Sequence, residues 1–190
     1  MKKEFIFILT LLISLNIAAK EEFSSTQKFK ECSGEEIVIL NSRQVESMAK
    51  IHELISQVDI QIASHPDLSA KRQKSLKKAQ EILRCSLEHL PKLGYTCDGL
   101  SRHCRTSEAW INWRFARYIN LCPDFWKLSP ERMVSDLVHE ATHKCGTTDA
   151  CYFGASPDSI PHNCKGFAYQ HIGSTYQYWA LFGIKAPGLF

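Results

Sequence analysis

The chain lacks most of what would mark a membrane or nucleic-acid protein. Its 190 residues hold one long uncharged apolar run, Phe5 to Ala19, broken only by Thr10, Ser14 and Asn16. That run is too short to span a bilayer comfortably. No cysteine follows it directly, so a lipid anchor is not supported. Charge of one sign is also missing. Lys and Arg number 23 against 20 Asp and Glu, and the signs alternate along the chain. This excludes a basic stripe that would track a phosphate backbone and a patch that would hold an anionic membrane. There is no internal repeat and no low-complexity stretch. No C-x-x-C pair occurs among the cysteines, which argues against a thiolate zinc site.

What is present begins at the N-terminus. Lys2 and Lys3 precede the apolar run, and Ala18 and Ala19 offer a cleavage point before Lys20. Residues 1–19 therefore read as a signal peptide, and the location as secreted or periplasmic. Its removal leaves about 171 residues, enough for one domain with its own core. All 8 cysteines lie in that mature part: Cys32, Cys85, Cys97, Cys104, Cys122, Cys145, Cys151 and Cys164. An even count behind a signal peptide predicts disulfides, although spacing alone cannot choose their pairing.

The organisation is read as a polar lead-in over residues 20–42 and one domain over 43–190. Val45, Met48, Ile51, Ile55, Val58 and Ile62 recur at three or four residues, so a helix is predicted from Gln44 until His65-Pro66. A second is predicted from Ser69 to Leu90, stopped by Pro91 and Gly94. Residues 95–108 read as a disulfide-held loop closed by Cys97 and Cys104. Ala109–Phe115 and Tyr118–Cys122 suit strands. The clearest helix follows: Ser129 caps it, Pro130 fits its first turn, Glu131 complements its dipole and Gly146 stops it. The last stretch, Gly166–Phe182, is aromatic-rich and reads as a helix.

On the best-capped helix stands His139-Glu140-Ala141-Thr142-His143. Histidines at i and i+4 project from one face one turn apart, so both imidazoles can hold a single tetrahedral Zn²⁺. Glu140 points to the flank of that metal, where it can take a proton from activated water and later give it to a leaving amine. Gly146 then permits a left-handed exit, and Asp149 returns a carboxylate six residues after His143. Asp149 is the expected third ligand, with His162 and His171 as alternatives. Tyr152, three residues on, could donate to the oxyanion formed at the scissile carbonyl, or could be a packed loop tyrosine.

These residues resemble the aspzincin metallopeptidases, the family of deuterolysin and the peptidyl-Lys metalloendopeptidases. The likeness is carried by His139-Glu140-x-x-His143 followed by Gly146-Thr147-x-Asp149-x-x-Tyr152, by Ile119–Trp126 upstream, and by Tyr176-Gln177-Tyr178-Trp179 near the end. It implies one zinc per chain on His139, His143 and Asp149, Glu140 as general base and Tyr152 as transition-state donor. Two departures stand out. Only Lys144 and Cys145 separate the second histidine from Gly146, where the family has a longer segment. Phe153 stands where a glycine usually follows the tyrosine. The spacing is also similar to that of the metzincins, but they carry a methionine turn after the motif, and no methionine follows it here.

The expected fold is α+β and zincin-like, a helical scaffold with a small sheet and an active-site helix carrying HExxH. The expected function is a secreted zinc-dependent endopeptidase acting on protein or peptide, with no nucleic-acid partner and no stable membrane association after signal removal. The alternatives are a zinc hydrolase of cell-wall peptide crosslinks and an inactive zincin-fold binding protein.

Overall fold

In a computed structural model the chain is described over residues 29–99, 102–105, 107–112, 115–149 and 173–184. The expected signal peptide, Cys151, Tyr152, His162, Cys164 and His171 lie outside the described residues. Helices α1 (Gly34–Ser64), α2 (Ala70–His89), α3 (Pro130–His143) and α4 (Gly173–Phe182) accompany a mixed sheet of four short strands. These are β1 (Phe29–Lys30), β2 (Gly94–Thr96), β3 (Ala109–Ile111) and β4 (Tyr118–Leu121), in the order β1-β2-β4-β3. β2 runs parallel to both β1 and β4, whereas β3 is antiparallel to β4 and lies at the edge. The expected α+β architecture is therefore observed. No described helix is long and apolar enough to cross a membrane.

Helix α1 starts ten residues before the predicted Gln44. The cause is a capping box: Ser33 Oγ accepts from the Glu36 N–H at 3.2 Å, and the Ser33 N–H donates to Glu36 Oε2 at 2.6 Å. This satisfies two otherwise orphaned donors of the first turn. Its core face also differs from the predicted stripe. Val45 is 53% exposed, while Gln44 and Ser47 are fully buried beside Leu40, Ile51, Leu54 and Val58. The two polar residues tolerate burial because they are bonded: Gln44 Nε2 donates to the Leu90 carbonyl at 2.8 Å, and Ser47 Oγ to that of Arg43 at 2.7 Å.

The loop expected over residues 95–108 is partly strand, and its disulfide is not Cys97–Cys104. The observed pairs are Cys32–Cys97, Cys85–Cys145 and Cys104–Cys122. Strand pairing explains the first. β2 runs beside β1 with Thr96 opposite Lys30, and the Cys97 N–H donates to the Lys30 carbonyl at 3.0 Å. Cys97 is thereby carried to Cys32. Cys104, in the short turn Arg102–Arg105, meets Cys122 just past β4.

The sheet and helices enclose one apolar core, in which α3 is the central element. Every residue of α3 from Met133 to His143 is buried. It packs against α1, α2, α4 and β3, which bury most of its surface. Because the α1 cap fixes where the scaffold begins, Ser33→Ala is expected to cost about 1 kcal/mol, read as a lower urea midpoint with an unchanged slope.

Candidate metal centre

Helix α3 begins as its sequence predicts. Ser129 Oγ accepts from the Arg132 N–H, Pro130 occupies the first turn and Glu131 faces the positive dipole end. Its far end carries the site. The Nε2 atoms of His139 and His143 lie 3.0 Å apart. Asp149 Oδ1 lies 3.1 Å from the first and 3.2 Å from the second. One tetrahedral zinc with bonds of about 2.0–2.2 Å separates its ligand atoms by about 3.3 Å. The triangle therefore fits one such ion after shifts of a few tenths of an ångström. Two imidazole nitrogens and one carboxylate oxygen, with a fourth position open, also suit a catalytic zinc site.

The path to Asp149 is local and short. At the end of α3, Cys145 N–H bonds Thr142 O at 2.9 Å and Gly146 N–H bonds His143 O at 3.3 Å. Gly146 then adopts φ +90°, a left-handed conformation that a side chain would strain. The exit is held from two sides. Thr147, 2% exposed, shares a 2.8 Å hydroxyl bond with Thr142. The Cys85–Cys145 bridge ties the same turn to α2. The His143 Nδ1–H donates to the Thr147 carbonyl at 3.1 Å, which leaves Nε2 for the metal.

Glu140 lies beside the ligand triangle with its side chain buried, and its carboxylate accepts from the backbone N–H of Ile111 on β3. Its Oε2 is buried with no hydrogen-bond partner. Burial raises its pKa, an effect that the charges of His139 and His143 oppose. A cavity of about 80 Å³ joins Glu140, His139 and Asp149 to Glu108, Asp136 and Gln177. Asp136 is pushed up to about 7, chiefly by burial and also by the charge of Glu108, against His139 and the Gln177 amide.

His139, Glu140, His143 and Asp149 are thus brought together as expected, whereas Tyr152, His162 and His171 are outside the described residues. Sequence reasoning missed Asp136, Gln177 and the Ile111 N–H. Asp136 had a readable signal: it precedes His139 by three and Glu140 by four, so it shares their face. Gln177 had none, because only the docking of α4 on α3 brings it there.

No family model matches the chain, and no curated protein matches it. Among solved structures it is similar to a zinc peptidase from Grifola frondosa, with a TM-score of 0.62 and 17% sequence identity. The match covers 79% of this chain and 96% of that one. At that identity the shared property is the fold, and the α+β scaffold expected from the sequence is one that a zinc peptidase also uses.

The protein's own charges set a pH dependence for metal uptake. Burial works against the charged form of His143, but its hydrogen bond to Asp149 and the charges of Glu140 and Asp149 outweigh it and raise its pKa to about 9. Burial likewise opposes ionisation of Asp149, yet its bonds to both imidazoles hold its carboxyl well below the usual range. A metal must therefore displace a proton from His143 at pH 7, and none from Asp149. Calorimetric titration in buffers of different ionisation enthalpy is expected to show about one proton released per zinc, with apparent affinity rising from pH 7 towards 9. A pH-independent affinity would contradict the arrangement.

Proposed function

We propose that the chain is a secreted, zinc-dependent endopeptidase that hydrolyses peptide bonds with His139, His143 and Asp149 as ligands and Glu140 as general base. The observation that carries this reading is the convergence of three ligand atoms within 3.2 Å beside a buried carboxylate with one unpaired oxygen. When bound, zinc supplies a Lewis acid that lowers the pKa of water to about 7 and polarises the scissile carbonyl.

The remaining chemistry belongs to the chain. Glu140, held by the Ile111 N–H, takes the proton as the water oxygen adds to the carbonyl carbon. It then gives that proton to the amine nitrogen as the C–N bond breaks, so the carboxylate is regenerated. Burial supports this role, because a carboxyl with a raised pKa exchanges protons nearer neutrality. Tyr152 is the proposed donor to the developing oxyanion. Substrate binding is assigned to β3, an edge strand that lines the cavity, where an extended peptide can add antiparallel to the sheet. Export is supported by the three disulfides among the described residues, a feature of oxidising compartments.

Glu140→Ala is expected to retain one zinc per chain and to lose about 100-fold or more of its protein-degrading activity. Activity in the wild type should vanish with a chelator and return with zinc. A variant that keeps more than about a hundredth of the activity would refute the proton-transfer role. Tyr152→Phe should lower kcat by about 100-fold with zinc content and KM little changed. An unaltered kcat would return Tyr152 to a packing role.

A further inference from the structure

We propose that Gly173, the first residue of α4, is a positioning residue for all three arms of the metal centre, and that its missing side chain sets where the two imidazoles stand. The inference rests on the zinc reading above and adds a residue outside its ligand set.

A Cβ at this position would lie 3.0 Å from Cε1 of His139, 3.0 Å from Cε1 of His143 and 3.2 Å from Nδ1 of His139. Carbon atoms pack best at about 3.5–4.0 Å, so each ring would have to give by a few tenths of an ångström. Neither can do so freely. Both residues are 6% exposed, and the rings pack edge to face with centroids 4.7 Å apart. His143 is further tied through Nδ1 to Thr147. A displacement would therefore change the separation and direction of the two Nε2 atoms, which must adjust together by only a few tenths of an ångström to hold one ion.

The third arm is reached through the backbone. The Gly173 N–H donates to the Thr148 carbonyl at 3.2 Å, and Thr148 directly precedes Asp149. The register of this contact is set one turn later, where the Gln177 amide donates to Asp136 on α3. Backbone strain is not what calls for glycine here. Among the described residues the positive-φ glycines are Gly99, Gly146 and Gly183, and Gly173 is not one of them. Alanine is also the better helix former, so a substitution would favour α4 itself while crowding the rings.

The test compares Gly173→Ala with Gly34→Ala, whose Cβ would meet nothing within 4 Å. In the full chain, zinc affinity is measured by competition with a chromophoric chelator. The absorption bands of the cobalt-substituted protein report ligand geometry, and thermal unfolding of the metal-free protein reports the fold. Gly173→Ala is expected to bind zinc about ten-fold or more weakly and to shift the cobalt bands, as changes just behind metal ligands do. Its metal-free Tm should stay within about 4 °C of wild type. Gly34→Ala should match wild type throughout. An unchanged affinity and cobalt spectrum in Gly173→Ala overturns this inference and leaves the zinc reading standing. A wild type that takes up no zinc removes both. Should Gly173→Ala not fold, hydrogen exchange of the wild type decides: zinc should slow the amides at the start of α4, and unchanged exchange there overturns the proposal.

Discussion

Four ionisable side chains, Asp136, His139, Glu140 and His143, are buried on one helix, and much of the structure exists to make that tolerable. A buried polar group without a partner costs roughly 1–3 kcal/mol, and a buried charge more. Each group accordingly meets a different element. Asp136 is bonded by Gln177 of α4, Glu140 by the Ile111 N–H of β3, and His143 Nδ1 by the Thr147 carbonyl of the exit turn. The Nε2 atoms of both histidines face the carboxylate of Asp149. What stays unpaired is Glu140 Oε2, beside the ligand triangle and lining the cavity. A buried carboxylate oxygen left unsatisfied beside the ligand triangle is where proton transfer has most to gain.

The same constraint explains why a short return from α3 suffices to bring Asp149 against the two histidines. A helix end normally leaves several carbonyls without partners. Here those of Ala141, Thr142 and His143 are taken up by the N–H groups of Lys144, Cys145, Gly146 and Thr147. The left-handed Gly146 then reverses the chain so that only five residues separate His143 from Asp149. The Cys85–Cys145 bridge and the Thr142–Thr147 bond hold that reversal against the loss of order that a six-residue excursion over a cavity invites.

Local signals in the sequence were readable where structure is itself local. Ser129-Pro130-Glu131 announces α3, and His139-Glu140-x-x-His143 with Asp149 announces the cluster of side chains, because helix periodicity and one turn fix both. The extended start of α1 was equally local in Ser33-Gly34-Glu35-Glu36, but the polar Gln44 and Ser47 on the core face masked its continuity. The aromatic and β-branched residues of β3 and β4 were legible, but β1 and β2, of two and three residues, carry too little pattern to read and went unseen. The pairing of Cys32 with Cys97 went unseen with them, since it follows from the parallel register of those strands. Gln177 and Gly173 act only through the docking of α4 on α3, a contact between segments more than thirty residues apart.

These differences bear on how a zinc peptidase fold is shared at 17% identity. Most of the core asks only for apolar residues of suitable volume at helical or alternating spacing, and many sequences meet that demand. The proposed metal site adds few demands of its own: two histidines one turn apart, a glutamate between them, a turn that can go left-handed, a carboxylate, and a residue small enough to lie against two imidazoles. Low identity over a long alignment is what such a division of constraint produces. Glu108 and Asp136 line the same cavity as Glu140, and Asp136 is also bonded by the Gln177 amide where α4 docks on α3. Together the two carboxylates leave the cavity beside Glu140 acidic.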